Sequence, residues 1–166
     1  MSNMQKWSKN IGSLISYAQR IFPDVEIVTR NLSGEITKSN YGEVAKRAKK
    51  LGSSLEKYGI KHGQNVGSLA LNTYRNMEMY FGISGMGAVM HTINFRLHPE
   101  QIVYIINHAE NRIIFVETVF APLLEAIQDN CPTVEQYVLL CSAEEMPETK
   151  EKKTTETTIN LSLIHI

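Results

Sequence analysis

The chain has 166 residues, 43% of them apolar and 20% charged, the proportions of one globular domain or of one piece of a larger one. Lysine plus arginine balance aspartate plus glutamate at 17 each, which excludes a global field that would gather nucleic acid or an anionic membrane surface. No run is long enough for a membrane span, MSNMQKWSKNIGSL lacks the apolar run of a signal peptide, and two cysteines, Cys131 and Cys141, neither staple a small secreted fold nor complete a zinc site, so the expected location is the reducing cytoplasm.

Residues 1–23 read as an N-terminal helical or extended segment. Val25 to Lys38, VEIVTRNLSGEITK, carries two short strand-like runs around the turn residues Asn31 to Gly34, the pattern of a hairpin. Asn40 followed three residues later by Glu43 predicts a capping box, in which each side chain satisfies an orphan amide at the helix start. Val44, Ala48, Leu51 and Leu55 then form an apolar helical stripe opposite Lys46, Arg47, Lys49, Lys50, Lys57 and Lys61. That basic row is a candidate phosphate-binding face; a solvated helix face is the simpler reading. Gly59 closes the helix.

Val66 to Leu71 is the next expected strand, and Asn72 or Thr73 starts a helix containing Met77, Tyr80, Phe81 and Ser84. Its glycines, Gly82, Gly85 and Gly87, spell GISGMG within a helical pattern instead of GxGxxG after a strand, so they predict a tight helix contact or a helix end. Ala88 to Ile93 is a strand, and Pro99 opens a helix whose buried stripe is Ile102, Ile105, Ile106 and Ala109, because a first-turn proline loses no intrahelical bond. Ile113 to Val116, Thr118 to Gln128 and Tyr137 to Leu140 continue as strand, helix and strand. This alternation predicts an α/β fold: a partial layered, mostly parallel sheet with flanking helices and an N-terminal β-hairpin over residues 24–141. Residues 142–158 are a polar segment rich in glutamate, lysine and threonine, expected to be mobile.

The chemistry-bearing residues do not assemble into a known constellation. His91, His98 and His108 lack the HExxH spacing that places two imidazoles on one helix face, and strand-end, capping and surface roles account for them. His108-Ala109-Glu110 meets no PCxxC partner, since Cys131 is followed by Pro132, Thr133 and Val134. Neither a GxSxG elbow nor a Walker loop is present. Arg96 is the most suggestive single residue. It follows Asn94 in a strand-to-helix loop, where open α/β sheets present polar groups, and can bind substrate, pair across a dimer or tie the loop to nearby carbonyls or a carboxylate.

Taken together, YGEVAKRAKKLGSSLEKYGIKHGQNVGSLALNTYRNMEMYFGISGMGAVMHTINFRLHPEQIVYIINHAENRIIFVE resembles the N-terminal region of the adenylate-forming acyl-CoA synthetases, most of all the fatty-acyl-CoA ligase branch. The resemblance runs from Val25 to Leu140, and GMGAVMHTINFRLHPEQIVYIINHAE is its most specific string. A polar turn commonly written NPRL in that branch is matched by Asn94, Arg96 and Leu97. Phe95 replaces the proline, a change expected to loosen the loop without shifting the flanking elements.

The resemblance implies a parent enzyme that attacks the α-phosphate of ATP with a fatty or other carboxylic acid, forms an acyl adenylate and passes the acyl group to CoA, with magnesium screening the phosphates. It also implies that the serine-, threonine- and glycine-rich phosphate loop and the lysine-bearing small domain lie beyond this sequence. The fragment alone is expected to be inactive and to bind no cofactor, and no catalytic, cofactor-binding or metal residue is assigned in it. The ending LSLIHI departs from the family and looks like translated adapter sequence or a frame break, so residues 159–166 are expected to be an artefactual or truncated end. The competing expectation is a non-catalytic α/β interaction module, pairing with another protein or as a homodimer through a sheet edge or the basic helix. A small nucleotide-binding enzyme is a third.

Overall fold

The computed structural model describes residues 10–31 and 34–141, so the expectations for 142–158 and 159–166 lie outside the described residues. Helix α1 spans Ile11–Ile21 and is capped by Asn10, whose Oδ1 accepts from the Ser13 amide at 2.8 Å. The hairpin follows, β1 at Glu26–Arg30 and β2 at Ile36–Asn40, antiparallel with Glu26 opposite Asn40 and Arg30 opposite Ile36.

Helix α2, Tyr41–Lys57, begins directly from β2. Asn40 Oδ1 accepts from the Glu43 amide at 2.8 Å, but the reciprocal half of the expected capping box is not made: the Glu43 carboxylate accepts from Ser39 Oγ at 3.1 Å. Asn40 is still a strand residue, opposite Glu26, and this puts Ser39 within reach of the carboxylate. The stripe Val44, Ala48, Leu51 and Leu55 is buried as its spacing predicts.

Four parallel strands make the main sheet in the order β4-β3-β5-β6: β3 Asn65–Leu69, β4 Val89–Thr92, β5 Ile113–Glu117 and β6 Gln136–Leu140. Helices α3, Tyr74–Gly85, and α4, Pro99–His108, join the first three strands, and α5, Ala121–Ile127, leads towards β6. Alternate residues separate the two faces. Val66, Ile113, Phe115, Val138 and Leu140 pack with Leu51 and Leu55 of α2 and Met79 and Ile83 of α3. Leu69, Ile114, Val116, Tyr137 and Leu139 pack with Ile102 and Ile106 of α4 and Leu124 and Ile127 of α5. A sheet covered on both faces has no polar side, which is why β5 reads as the unbroken apolar run IIFV. Ile15 of α1 buries itself separately against Val44 and Ala45.

The expected single helix from Thr118 to Gln128 is divided into a 3₁₀ turn at Thr118–Phe120, α5, and a second 3₁₀ turn at Gln128–Asn130. Pro122 accounts for the break: it has no amide to donate and is accommodated in the first turn of α5.

Three helix ends repeat one device. After α2 the Gly59 amide donates to Glu56 O and the Ile60 amide to Leu55 O; after α3 Gly87 and Ala88 repeat this towards Ser84 and Ile83; after α4 Glu110 and Asn111 repeat it towards Asn107 and Ile106. These are Schellman closures, which require a left-handed residue. Gly59 and Gly87 supply it at φ +87 and +91, whereas Glu110 adopts φ +50 with a side chain. Gly82 serves close approach instead: a Cβ there would stand 2.8 Å from Ala48 O, so α3 lies against α2 almost backbone to backbone. Among the described residues, no helix is long and apolar enough to cross a membrane.

Candidate functional site

Parallel strands present their carboxyl ends together, and in open α/β sheets that edge is where ligands are held. Here it comprises Leu69, Thr92, Glu117 and Leu140 and the loops that leave them. Between the loops after β3 and β4 lies a cavity of about 380 Å³, lined by Ala70, Leu71, Asn72, Asn94, Phe95 and Arg96.

Arg96 lies in the turn after β4. Its amide donates to Asn94 Oδ1 at 3.0 Å and the Leu97 amide to Asn94 O at 3.3 Å, so Asn94 folds the turn through both its side chain and its backbone. The Arg96 guanidinium carbon lies 5.7 Å from the centre of the Phe95 ring. Among the described residues it meets no carboxylate or carbonyl, so the expectation that Arg96 ties down its own loop through such a partner is not met. Phe95 holds the turn against the core. Its ring stacks on Phe120 at 4.7 Å, and both pack on the α4–α5 face of the core, which anchors the turn through side-chain stacking.

A second guanidinium reaches the same edge of the sheet at its far side. Arg75, in the first turn of α3, donates from Nη1 to Leu140 O at 2.9 Å. Arg96 follows β4 and Arg75 meets β6, the two outer strands, about 14 Å apart at the usual strand spacing. The first turn of α3 is also tied to the hairpin. Thr73 is its N-cap in position but makes no side-chain cap bond; Thr29 of β1 accepts from the Tyr74 amide instead, at 3.1 Å.

Arg47, one of the expected basic row, turns inwards and pairs with Glu78 of α3, Nε to Oε1 at 2.7 Å. Glu78 is fully buried. Burial pushes its carboxyl above the ordinary glutamate range, opposed by the neighbouring Arg47 and Arg75. Lys49 donates to Gln19 of α1 at 2.6 Å, while Lys46, Lys50, Lys57 and Lys61 are exposed to solvent.

The histidines have separate surroundings. His91 Nδ1 lies 2.8 Å from Asn111 Nδ2, His98 precedes α4 with its amide on Gln101 Oε1 at 3.2 Å, and His108 stacks on Tyr104 at 5.6 Å. Cys131 is buried, its thiol pushed up by desolvation, and lies near Tyr137. Among the described residues, no group of three histidine, cysteine or carboxylate side chains could hold a metal ion.

An open parallel edge carrying cationic and amide side chains fits a ligand-binding α/β domain of more than one kind. The sequence decides which. The profile of the family described as AMP-binding enzyme matches residues 17–162. The chain belongs to this family.

The chain is 45% identical over 130 residues to the 3-methylmercaptopropionyl-CoA ligase of Ruegeria lacuscaerulensis, covering 78% of this chain and 24% of the relative. It is 37% identical over 139 residues to a long-chain-fatty-acid–CoA ligase of Thermus thermophilus, covering 84% of this chain and 26% of that protein. Among solved structures, the anthranilate CoA ligase AuaEII in complex with anthranoyl-AMP superposes with a TM-score of 0.71 at 25% identity, covering 80% of this chain and 25% of that one. The chain therefore spans about a quarter of the length of these curated relatives, and it is homologous to the N-terminal AMP-binding domain of acyl-CoA and acyl-adenylate ligases.

Sequence reasoning singled out Arg96 but missed Arg75 and Glu78. Their spacing of three on one helix was a readable signal for a shared face, yet their partners come from other elements.

Proposed function

We propose that this chain is part of an ATP-dependent ligase that activates a carboxylic acid as an acyl adenylate and transfers the acyl group to CoA. The observation that carries the reading is the family match over residues 17–162, together with CoA-ligase relatives at 37% to 45% identity. A fatty acid is the proposed substrate, supported by the Thermus relative, whose name specifies long-chain fatty acids. ATP, magnesium and CoA are the proposed co-substrates and cofactor of the complete enzyme, and the cytoplasm its proposed location.

Within that enzyme the described residues are proposed to act as scaffold and as one wall of a ligand edge, with the exposed Arg96 guanidinium receiving an anionic group. The chemistry suits this: a planar cation with free donors, next to the side-chain amides of Asn72 and Asn94, favours a phosphate or carboxylate oxygen. Residues 1–166 alone are proposed not to form adenylate, because reaction requires acid and nucleotide to be held together.

The test is to sequence the transcript through codon 159 and beyond, express the complete reading frame and measure acid-dependent ATP–pyrophosphate exchange with fatty acids of several lengths. Exchange that requires a carboxylic acid is expected. A folded product that catalyses none with any acid overturns the reading, and a defined protein complex without ATP turnover supports the interaction module instead.

A further inference from the structure

The first two turns of α3 carry a charge cluster for which acid activation supplies no role. Glu78 has 0% of its surface exposed, and a carboxylate is held in such a place only with cationic or hydrogen-bonding partners. Arg47 of α2 provides one at 2.7 Å. One turn earlier on the same face of α3 stands Tyr74, and both Arg47 and Arg75 lie over its ring, each guanidinium carbon 5.7 Å from the centre. Arg75 then reaches out of the cluster to Leu140 O at 2.9 Å, the last carbonyl of β6. The Tyr74 amide reaches in the other direction, to Thr29 Oγ1 of the hairpin at 3.1 Å.

Two guanidiniums on one ring repel each other and need a counter-charge. The charged groups around Glu78 are Arg47 and Glu43 from α2 and Arg75 from α3 itself, while the hairpin contributes the uncharged Thr29 near Tyr74. Glu43 is exposed and already accepts from Ser39, so Glu78 is the interior counter-charge for both cations.

We propose that Glu78 is a positioning residue: its negative charge keeps Arg47 and Arg75 gathered on Tyr74, and through Arg75 it fixes the carboxyl end of β6. The device is a latch that opens when Glu78 is neutralised. Arg47, already 37% exposed at its side chain, then swings to solvent, and Arg75 loses the attraction that holds it over Tyr74, in line with the Leu140 carbonyl, and releases that carbonyl. The inference is independent of the ligase reading, because its readout uses no substrate.

Loosening of the corner and global stability are expected to move in opposite directions. Burial raises the Glu78 carboxyl, so the folded state holds this proton more tightly than the unfolded chain does. Protonation therefore favours folding at the same time as it frees the two arginines. A residue that merely filled space would lower both stability and local order when changed.

The experiment follows the Arg75 guanidinium N–H signals by NMR in the whole chain from pH 8 to about 4, assigned by their loss in Arg75→Lys. Protection of these protons is expected to disappear in the wild type as Glu78 takes up its proton. It is expected to be absent at every pH in Glu78→Gln and regained near neutrality in Glu78→Asp, with the unfolding midpoint of Glu78→Gln equal to or above that of the wild type. Protection that persists in the wild type across the whole pH range overturns the latch. So does a Glu78→Gln protein that keeps the protection or loses both protection and stability. The wild-type titration decides the matter alone if Glu78→Gln does not fold.

Discussion

Arg112 and Glu135 form a two-point ion pair across the amino ends of β5 and β6, Nε to Oε1 and Nη2 to Oε2 at 2.7 Å each. The remaining terminal nitrogen, Nη1, donates to Gly59 O at 2.9 Å and to Gln64 Oε1 at 3.0 Å. One side chain thus joins the closure of α2, the loop into β3 and the starts of two strands. Arg112→Met is expected to destabilise the fold by about 1–2 kcal/mol, the low end for charged hydrogen bonds because the pair is partly solvated. Arg112→Lys should recover only part of this, since an ammonium cannot make the fork. Denaturant unfolding with unchanged m-values checks both.

Glu135 gives the same pair a pH signature. Its bond to Arg112 holds the carboxyl below the ordinary glutamate range, so the pair's contribution is present above the unfolded-state value, about 4.3, and is lost as pH falls through the lower folded-state value. Glu78 has the opposite sign, because its carboxyl is raised by burial: its contribution is present at low pH and is lost as pH rises through the folded-state value. Arg112→Met should therefore flatten the acid limb of the stability curve, and Glu78→Gln the limb nearer neutrality. Thermal unfolding of both variants across the pH range separates the two contributions.

Glu110 occupies the left-handed position that Gly59 and Gly87 fill at the other two closures. A side chain at φ +50 carries a steric cost that glycine lacks, partly offset by the greater freedom of glycine in the unfolded chain. Glu110→Gly is expected to raise stability by about 0.5–1 kcal/mol, and Gly59→Ala to lower it by about 1 kcal/mol. A shift of the unfolding midpoint in the reverse direction for Glu110→Gly would contradict this account.

Gly82 has no such freedom to gain. The added methyl of Gly82→Ala would meet Ala48 O at 2.8 Å and Leu51 at 3.1 Å, forcing α3 away from α2. A loss of about 1–3 kcal/mol is expected, as for overpacking in a closed core. The same variant should also weaken the Arg47–Glu78 pair, which bridges those two helices. Its coupling to Glu78→Gln in a double-mutant cycle measures that link.

The residues that sequence patterning placed well are those whose position follows from spacing within their own element. Leu51 and Leu55 follow from helical spacing, Asn40 from its position before an apolar stripe, and IIFV from the need to bury both sides of a strand. Gly82 and Gly87 were legible as a close contact and a helix end, though not which was which. Other residues depend on partners far along the chain. Thr29 serves a helix start 45 residues away, Arg112 reaches back 53 residues to Gly59, and Arg47 was concealed among lysines that face water. Periodicity carries no information about such pairs. Phe95 is the sharpest case, because the polar turn that it interrupts is visible locally while the Phe120 ring that it stacks on lies 25 residues on.

Arg96 separates a ligand role from a structural one. Its guanidinium has only the Phe95 ring as a partner among the described residues, so Arg96→Ala should change stability by no more than about 1 kcal/mol. If the edge receives an anionic group, losing a charged hydrogen bond there should weaken binding about 10-fold or more in the complete enzyme. That loss should appear in the KM of one anionic partner, the acid, ATP or CoA, with kcat retained, because a contact made equally in the ground and transition states affects binding alone. Arg96→Lys should fall between wild type and alanine. Phe95→Ala should resemble Arg96→Ala in KM and also lose stability, since the ring both anchors the turn on Phe120 and supports the guanidinium. Unchanged KM values for all three partners in Arg96→Ala would remove this residue from the ligand edge and leave it as a solvated surface cation.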